Sequence, residues 1–217
     1  MSMDASDSNA TVIFDTSNSK YLVLFDRLAI ETTVTDKASI AEEWVQQVLS
    51  TYVGKQMVIG LDTEWMRDQN KKMKVAILQL CVEDKCLIFQ MFRMDYIPQS
   101  LRSFMVHSDF KFVGVGILQD IKRLNNEYGL ECNEGIDVSK LAKTQWPNRF
   151  SSLGLKNLAK ELVGLNMKKS KEVCTSEWQL RELTLDQVEY ACIDAYASYK
   201  IGKKLLIENG VSPTLFN

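Results

Sequence analysis

Histidine is nearly absent from this sequence, and its cysteines follow no recognised metal-binding or disulfide spacing. The single histidine among 217 residues, His107, excludes a zinc site built on several histidines and a Ser-His-Asp triad. The five cysteines are odd in number and contain no CxxC pair. They are therefore predicted to be reduced thiols rather than disulfides or zinc ligands.

Excess positive charge and long apolar runs are also lacking. The formal net charge of −2 argues against a protein that coats nucleic acid, because lysine and arginine normally supply that affinity. No apolar run approaches the roughly 18 residues of a membrane span, and the polar N-terminus does not resemble a signal peptide. We therefore expect an intracellular protein, in the cytoplasm and/or nucleus, with no membrane partner.

The sequence does contain enough apolar residues for one substantial core. With 46% hydrophobic content and strand-like runs followed by helix-like ones, it is predicted to form a single α/β domain over residues 20–207. Residues 1–19 are predicted to be a flexible tail, with an edge strand at 11–14 as the alternative for part of it. Residues 208–217 are predicted to be a C-terminal tail.

Several elements can be predicted before and within this domain. The β-rich runs at 21–25 and 29–34 predict a hairpin ahead of the core. Ser39 with Glu42 forms a capping-box pair and predicts a helix start there. A second capped helix is predicted to begin at Ser151.

The first candidate site lies in 58–65, where a continuous apolar run ends in Asp62-Thr63-Glu64. Asp62 and Glu64 are two residues apart on a predicted buried strand, so both carboxylates project to the same face. Such a pair repels itself and needs a positive counter-charge. Arg67 could supply it, but a divalent cation would do so more completely. Alone, the pair is also typical of a solvated strand end.

Two further acidic positions follow. Asp120 is predicted one turn into a helix after the strand at 111–115, where interaction with the helix N-terminus alone would explain it. Tyr190 and Asp194 lie four residues apart on a helix for which Thr184 is the predicted N-cap. A tyrosine that simply bonds a neighbouring carboxylate is the structural alternative.

The order and flanking residues of these motifs resemble the 3'-5' exonuclease superfamily with a tyrosine in its third motif. The branch is typified by the Werner syndrome exonuclease domain and ribonuclease D. The likeness is carried by 60–65 and 75–82, by 114–117 before Asp120, and by 176–197. It implies an RNase H-like (DnaQ-like) mixed sheet flanked by helices and preceded by the N-terminal β-hairpin. In the sister branch of the superfamily, a histidine replaces the third-motif tyrosine. His107 precedes the second motif and cannot take that place.

The resemblance implies a two-metal hydrolysis of phosphodiester bonds from a free 3' end. Asp62, Glu64 and Asp194 would hold the ion that carries the attacking water, and Asp62 with Asp120 would hold a second. Carboxylate oxygens suit Mg²⁺ or Mn²⁺. Tyr190 would orient the water, since its unperturbed pKa near 10 makes it a poor base. The products would be nucleoside 5'-monophosphates.

Substrate contacts are predicted at Thr63, Trp65, Lys168 and Lys169. Trp65 could stack on a terminal base or pack beneath the site. The two lysines belong to the cluster 168–171, which could contact phosphate or form a solvated turn.

Three hypotheses remain open for the whole chain. The favoured one is an exonuclease on single-stranded nucleic acid, with RNA slightly preferred because the chain resembles small stand-alone plant exonucleases of the RISC-interacting clearing exoribonuclease type. That likeness implies a homo-oligomer and an Argonaute-type partner. The second is a Werner-like DNA exonuclease in repair, and the third is a catalytically silent nucleic-acid or protein-binding module.

Overall fold

The computed structural model describes residues 11–15, 19–52, 54–67, 72–168 and 170–208. In this part of the chain there are eight strands: β1 (Thr11–Asp15), β2 (Lys20–Phe25), β3 (Leu28–Thr35), β4 (Met57–Arg67), β5 (Met73–Val82), β6 (Lys85–Phe89), β7 (Phe110–Gly114) and β8 (Gly135–Asp137). The helices are α1 (Ala38–Thr51), α2 (Gln99–Met105), α3 (Ile117–Tyr128), α4 (Val138–Gln145), α5 (Leu155–Val163), α6 (Lys171–Cys174) and α7 (Leu185–Lys203). A π-helical turn, Lys204–Glu208, extends α7.

All eight strands form one mixed sheet in the order β1-β2-β3-β6-β5-β4-β7-β8. The predicted hairpin is present as β2 and β3, which pair antiparallel. Strand β1 pairs with β2, so the edge-strand interpretation applies to residues 11–15 of the predicted N-terminal tail. Residues 1–10, 16–18 and 209–217 of the two predicted tails lie outside the described residues.

Strand β4 is central to the sheet, antiparallel to β5 and parallel to β7. Its side chains alternate between two cores, one on each face. Val58 and Met66 pack in the core beneath α7, whereas Ile59 and Leu61 pack in the core with α1, α2 and α3. The strand is longer than predicted, because it continues past both acidic residues to Arg67.

Helix α7 lies directly against β4 because glycine occupies position 60. A Cβ atom at Gly60 would lie 2.0 Å from the Ala195 carbonyl oxygen and 2.6 Å from the Tyr199 nitrogen. The predicted N-cap of α7 is confirmed, since Thr184 and Gln187 form a capping box in which both reciprocal hydrogen bonds are present. None of the helices that the structure describes combines the length and apolar character that crossing a bilayer requires.

Two predicted helix starts are wrong. Helix α1 begins at Ala38 with Lys37 at its N-cap, and Ser39 lies inside the first turn. The Ala38 N–H donates instead to Asp95 Oδ1 at 2.8 Å, so a distant carboxylate replaces the predicted capping box. Helix α5 begins at Leu155 after Gly154 rather than at Ser151.

Candidate active site

Three of the predicted acidic ligands meet beneath α7. Ligand oxygens of Asp62, Glu64 and Asp194 all lie within 4.8 Å of one another. Alternation along β4 places the first two carboxylates on the α7 face, and the close approach at Gly60 brings α7 down onto that face. Asp194 is only 2% exposed, so its charge has little contact with solvent.

The site lies where the parallel part of the sheet ends. Strand β7 pairs with β4 only as far as Gly60, and beyond that residue β4 pairs with β5 alone. A register shift follows between Glu64 and Trp65. A bulge of this kind bends and twists a strand and re-aims its side chains. The acidic residues of β4 therefore lie just beyond its parallel pairing with β7, near the sheet edge at which ligands bind in many open α/β sheets.

Asp120 does not belong to the three-carboxylate group. It lies in the first turn of α3, is 7% exposed, and accepts a 2.6 Å hydrogen bond at Oδ1 from the Thr63 hydroxyl. Burial raises the pKa of the Asp120 carboxyl to about 6, although the Thr63 hydrogen bond and the charge of Arg123 act in the opposite direction. The structure thus brings three of the four predicted ligands together, and the fourth, Asp120, is hydrogen-bonded to Thr63.

Thr63 and Trp65 use their polar atoms inside the protein. The Trp65 indole Nε1 donates to Thr63 Oγ1 at 2.6 Å, and the Arg123 guanidinium lies 4.4 Å from the centre of the Trp65 ring. Trp65 packs against the core that contains α1, α2 and α3. Trp65 therefore packs against the core, and the polar side-chain atoms of Thr63 and Trp65 belong to the hydrogen bonds that end at Asp120.

Tyr190 lies one helical turn before Asp194 on α7 and is 7% exposed. Burial raises the pKa of its hydroxyl above the usual value, and the negative charges of Asp194 and Glu64 raise it further. The protein's own groups thus keep Tyr190 protonated. A protonated hydroxyl donates a hydrogen bond, which suits the predicted role in orienting water.

Of the two lysines predicted to contact substrate, Lys168 lies among the described residues. Lys168 is exposed and its charge acts on Glu189, the residue before Tyr190 on α7. It therefore lies near the N-terminal half of that helix. Lys169 is outside the described residues.

Sequence reasoning missed two residues, Arg123 and Gln79. Gln79 is fully buried, and within the described part of the chain neither of its amide atoms has a hydrogen-bond partner. It is the cross-strand neighbour of Asp62, so the two side chains share the α7 face. The sequence contains a signal for Gln79, since a glutamine within the apolar run 75–82 is costly to bury unless its amide has hydrogen-bond or ligand partners.

The donor set fits a hard divalent cation. Three close carboxylates repel one another, with Asp194 buried and the other two half-buried, and the Gln79 amide adds polar atoms on the same face. Oxygen donors of this kind favour Mg²⁺ or Mn²⁺ over softer metals. Asp62, Glu64 and Asp194 are the residues that would hold such an ion.

Comparison with known proteins gives a consistent result. A sequence model of a 3'-5' exonuclease family matches residues 32–208. The bifunctional 3'-5' exonuclease/ATP-dependent helicase WRN of Mus musculus is 32% identical over 151 residues, covering 68% of this chain and 11% of that protein. A 3'-5' exonuclease of Arabidopsis thaliana is 34% identical over 68% of this chain and 52% of its own length. The chain thus spans about half, or less, of these relatives.

A solved structure shows the same fold. RNase D of Escherichia coli, an exoribonuclease, superposes with a TM-score of 0.69 at 20% sequence identity, over 82% of this chain and 45% of that one. This likeness confirms the predicted α/β fold, a mixed sheet flanked by helices and preceded by a hairpin. Family match, relatives and fold agree with the acidic cluster on β4 and α7. The chain belongs to the 3'-5' exonuclease family.

Proposed function

We propose that this protein is a metal-dependent 3'-5' exonuclease that hydrolyses phosphodiester bonds of single-stranded nucleic acid and releases nucleoside 5'-monophosphates. The observation that carries the proposal is the group of three carboxylates, Asp62, Glu64 and Asp194, within 4.8 Å of one another. Tyr190 lies one helical turn before Asp194 on α7. Three close carboxylates, one of them buried, need a counter-charge that a bound cation would supply.

The chain's own residues divide the chemistry between them. Asp62, Glu64 and Asp194 would hold one cation, and Asp62 with Asp120 would hold a second. Bound divalent ions supply acidification of the attacking water and neutralisation of charge on the leaving oxygen. The Tyr190 hydroxyl donates a hydrogen bond that orients the water, because burial and nearby carboxylates raise its pKa.

RNA is the preferred substrate in this proposal, and single-stranded DNA is the alternative that a Werner-like repair enzyme would favour. The support is the resemblance to plant exoribonucleases; among solved structures, RNase D is itself described as an exoribonuclease. Thr63, Trp65, Lys168 and Lys169 stay predictions as substrate contacts. Self-association, an Argonaute-type partner and an intracellular location also stay predictions.

The test is a time course with 5'-labelled RNA and DNA of one sequence, each incubated with Mg²⁺, Mn²⁺ or EDTA and resolved on a denaturing gel. Wild type should shorten the strand from its 3' end in either metal and not in EDTA. Asp62→Asn should lose at least about 100-fold in rate, whereas Asp109→Asn, an exposed carboxyl outside the site, should not. A folded wild type that binds the strands without shortening them would instead establish the silent binding module.

A further inference from the structure

A chain of hydrogen bonds on the back face of β4 ends at Asp120. The Trp65 indole N–H donates to Thr63 Oγ1 at 2.6 Å, and the Thr63 hydroxyl lies 2.6 Å from Asp120 Oδ1. The direction is fixed, because an indole N–H can only donate and a hydroxyl has a single hydrogen. Trp65 occupies an acceptor position of Thr63, so the hydroxyl hydrogen points to Asp120.

Arg123 contacts Trp65, at the end of these hydrogen bonds opposite Asp120. Its guanidinium lies 4.4 Å from the centre of the Trp65 ring, and its Nη1 donates to the Met73 carbonyl oxygen at 3.1 Å. Glu127, one turn further along α3, accepts a 2.8 Å hydrogen bond from the Val75 N–H. Val75 is the residue that pairs with Trp65 across the register shift. Helix α3, β4 and β5 are thereby tied together around the indole ring.

This series of hydrogen bonds contacts one oxygen of the Asp120 carboxylate. Thr63 alternates with Asp62 and Glu64 along β4, so its side chain projects to the face opposite the three-carboxylate group. It anchors Asp120 Oδ1 there. A carboxylate anchored through one oxygen has less rotational freedom to lose when its other oxygen binds a ligand.

We propose that Thr63, Trp65 and Arg123 are positioning residues that hold the Asp120 carboxylate in readiness for a divalent cation. The inference rests on the proposed function and goes beyond it, since it gives the two β4 residues a role in metal affinity instead of substrate contact. Hydrogen-bonded partners of metal ligands typically change metal affinity by about 10-fold to 100-fold when they are removed. Loss of the Thr63 hydroxyl should therefore weaken the Asp120-dependent site by about tenfold.

The test is isothermal titration of the full chain with Mn²⁺, without nucleic acid. Wild type should bind a Mn²⁺ ion that Asp120→Asn loses. Thr63→Val, which keeps the shape and removes the hydroxyl, should weaken that ion about tenfold, and Thr63→Ser, which keeps the hydroxyl, should bind it as wild type does. Trp65→Phe, which removes the first donor, should weaken it by a smaller factor.

The outcomes separate the two claims. Wild-type protein that binds an Asp120-dependent ion, with Thr63→Val binding it equally tightly, would overturn the positioning role and leave the proposed function intact. Folded wild type that binds no Mn²⁺ would overturn both. Circular dichroism melts accompany each titration, and if Thr63→Val does not fold, Trp65→Phe decides the question, since unchanged affinity in that variant would contradict the hydrogen-bonded chain.

Discussion

Replacing Asp120 with asparagine should stabilise the metal-free protein at neutral pH. The Asp120 carboxyl is almost fully buried, and burial raises its pKa from 3.8 to about 6. Asparagine keeps an oxygen that can accept from Thr63 but carries no charge that burial penalises. The variant therefore removes an unfavourable ionisation from the folded state.

The size and sign of this change in stability follow from the difference between the pKa of Asp120 in the folded and in the unfolded protein. Well below the unfolded pKa of 3.8 the carboxyl is neutral in folded and unfolded protein alike, so it contributes nothing to stability there. As pH rises towards the folded pKa of about 6, the unfolded chain loses its proton first and stability falls. A shift of about 2 pKa units corresponds to about 3 kcal/mol, and this penalty persists at all higher pH.

The assay is urea unfolding of wild type and Asp120→Asn in EDTA at pH 4 and pH 7.5. The stability difference should move in favour of the variant by about 2–3 kcal/mol between the two pH values. Added Mn²⁺ should then stabilise wild type more than the variant, because only wild type keeps the full ligand set. Asp109→Asn removes an equal charge from an exposed position and controls for net charge. A difference that stays constant between pH 4 and pH 7.5 would refute the reasoning.

Three further changes test the site and its support. Gly60→Ala should lower the free energy of unfolding by at least about 2 kcal/mol and abolish activity, because its Cβ would lie 2.0 Å from the Ala195 carbonyl oxygen. The control Gly54→Ala, at a residue with φ +70 and open space around it, should lower the free energy of unfolding by about 1 kcal/mol and leave activity intact. Tyr190→Phe should lower kcat about 100-fold with Mn²⁺ affinity unchanged, and a parallel loss of affinity in titration would contradict a water-orienting role. Gln187→Ala breaks the capping box of α7 and should cost about 1–2 kcal/mol in urea unfolding; unchanged stability would show that the cap contributes nothing.

The elements that could be predicted from sequence are those whose local signals agree with their packing. The apolar run 57–61 is buried on both sides and forms the first half of β4. The capping box at Thr184 and Gln187 forms as its spacing indicates, and Gln187 also donates to Ser176 Oγ at 2.9 Å. Because the site carboxylates lie on this strand and this helix, three of them could be placed together without a structure.

Where local signals failed, a distant residue supplied the same interaction. The Ser39 and Glu42 pair had the spacing of a capping box, yet the first N–H of α1 donates to Asp95, 57 residues away along the chain. Sequence spacing cannot report a partner that only tertiary packing brings close. Asp120 is a second case, since no local pattern shows which residue of β4 its side chain meets.

The face of β4 to which the Thr63 side chain projects, by contrast, was predictable from the same alternation that puts Asp62 and Glu64 on one face. If Asp62 and Glu64 share one face of β4, Thr63 must project to the other, where α3 packs. Proximity to the motif had favoured a substrate contact, but strand geometry favours a contact with α3. Asp62 and Glu64 lie on β4 itself, and two helices bring the other two acids to it, α7 carrying Asp194 on one face and α3 carrying Asp120 on the other. Substitutions that shift either helix against the strand should change cation affinity even where no ligand is altered.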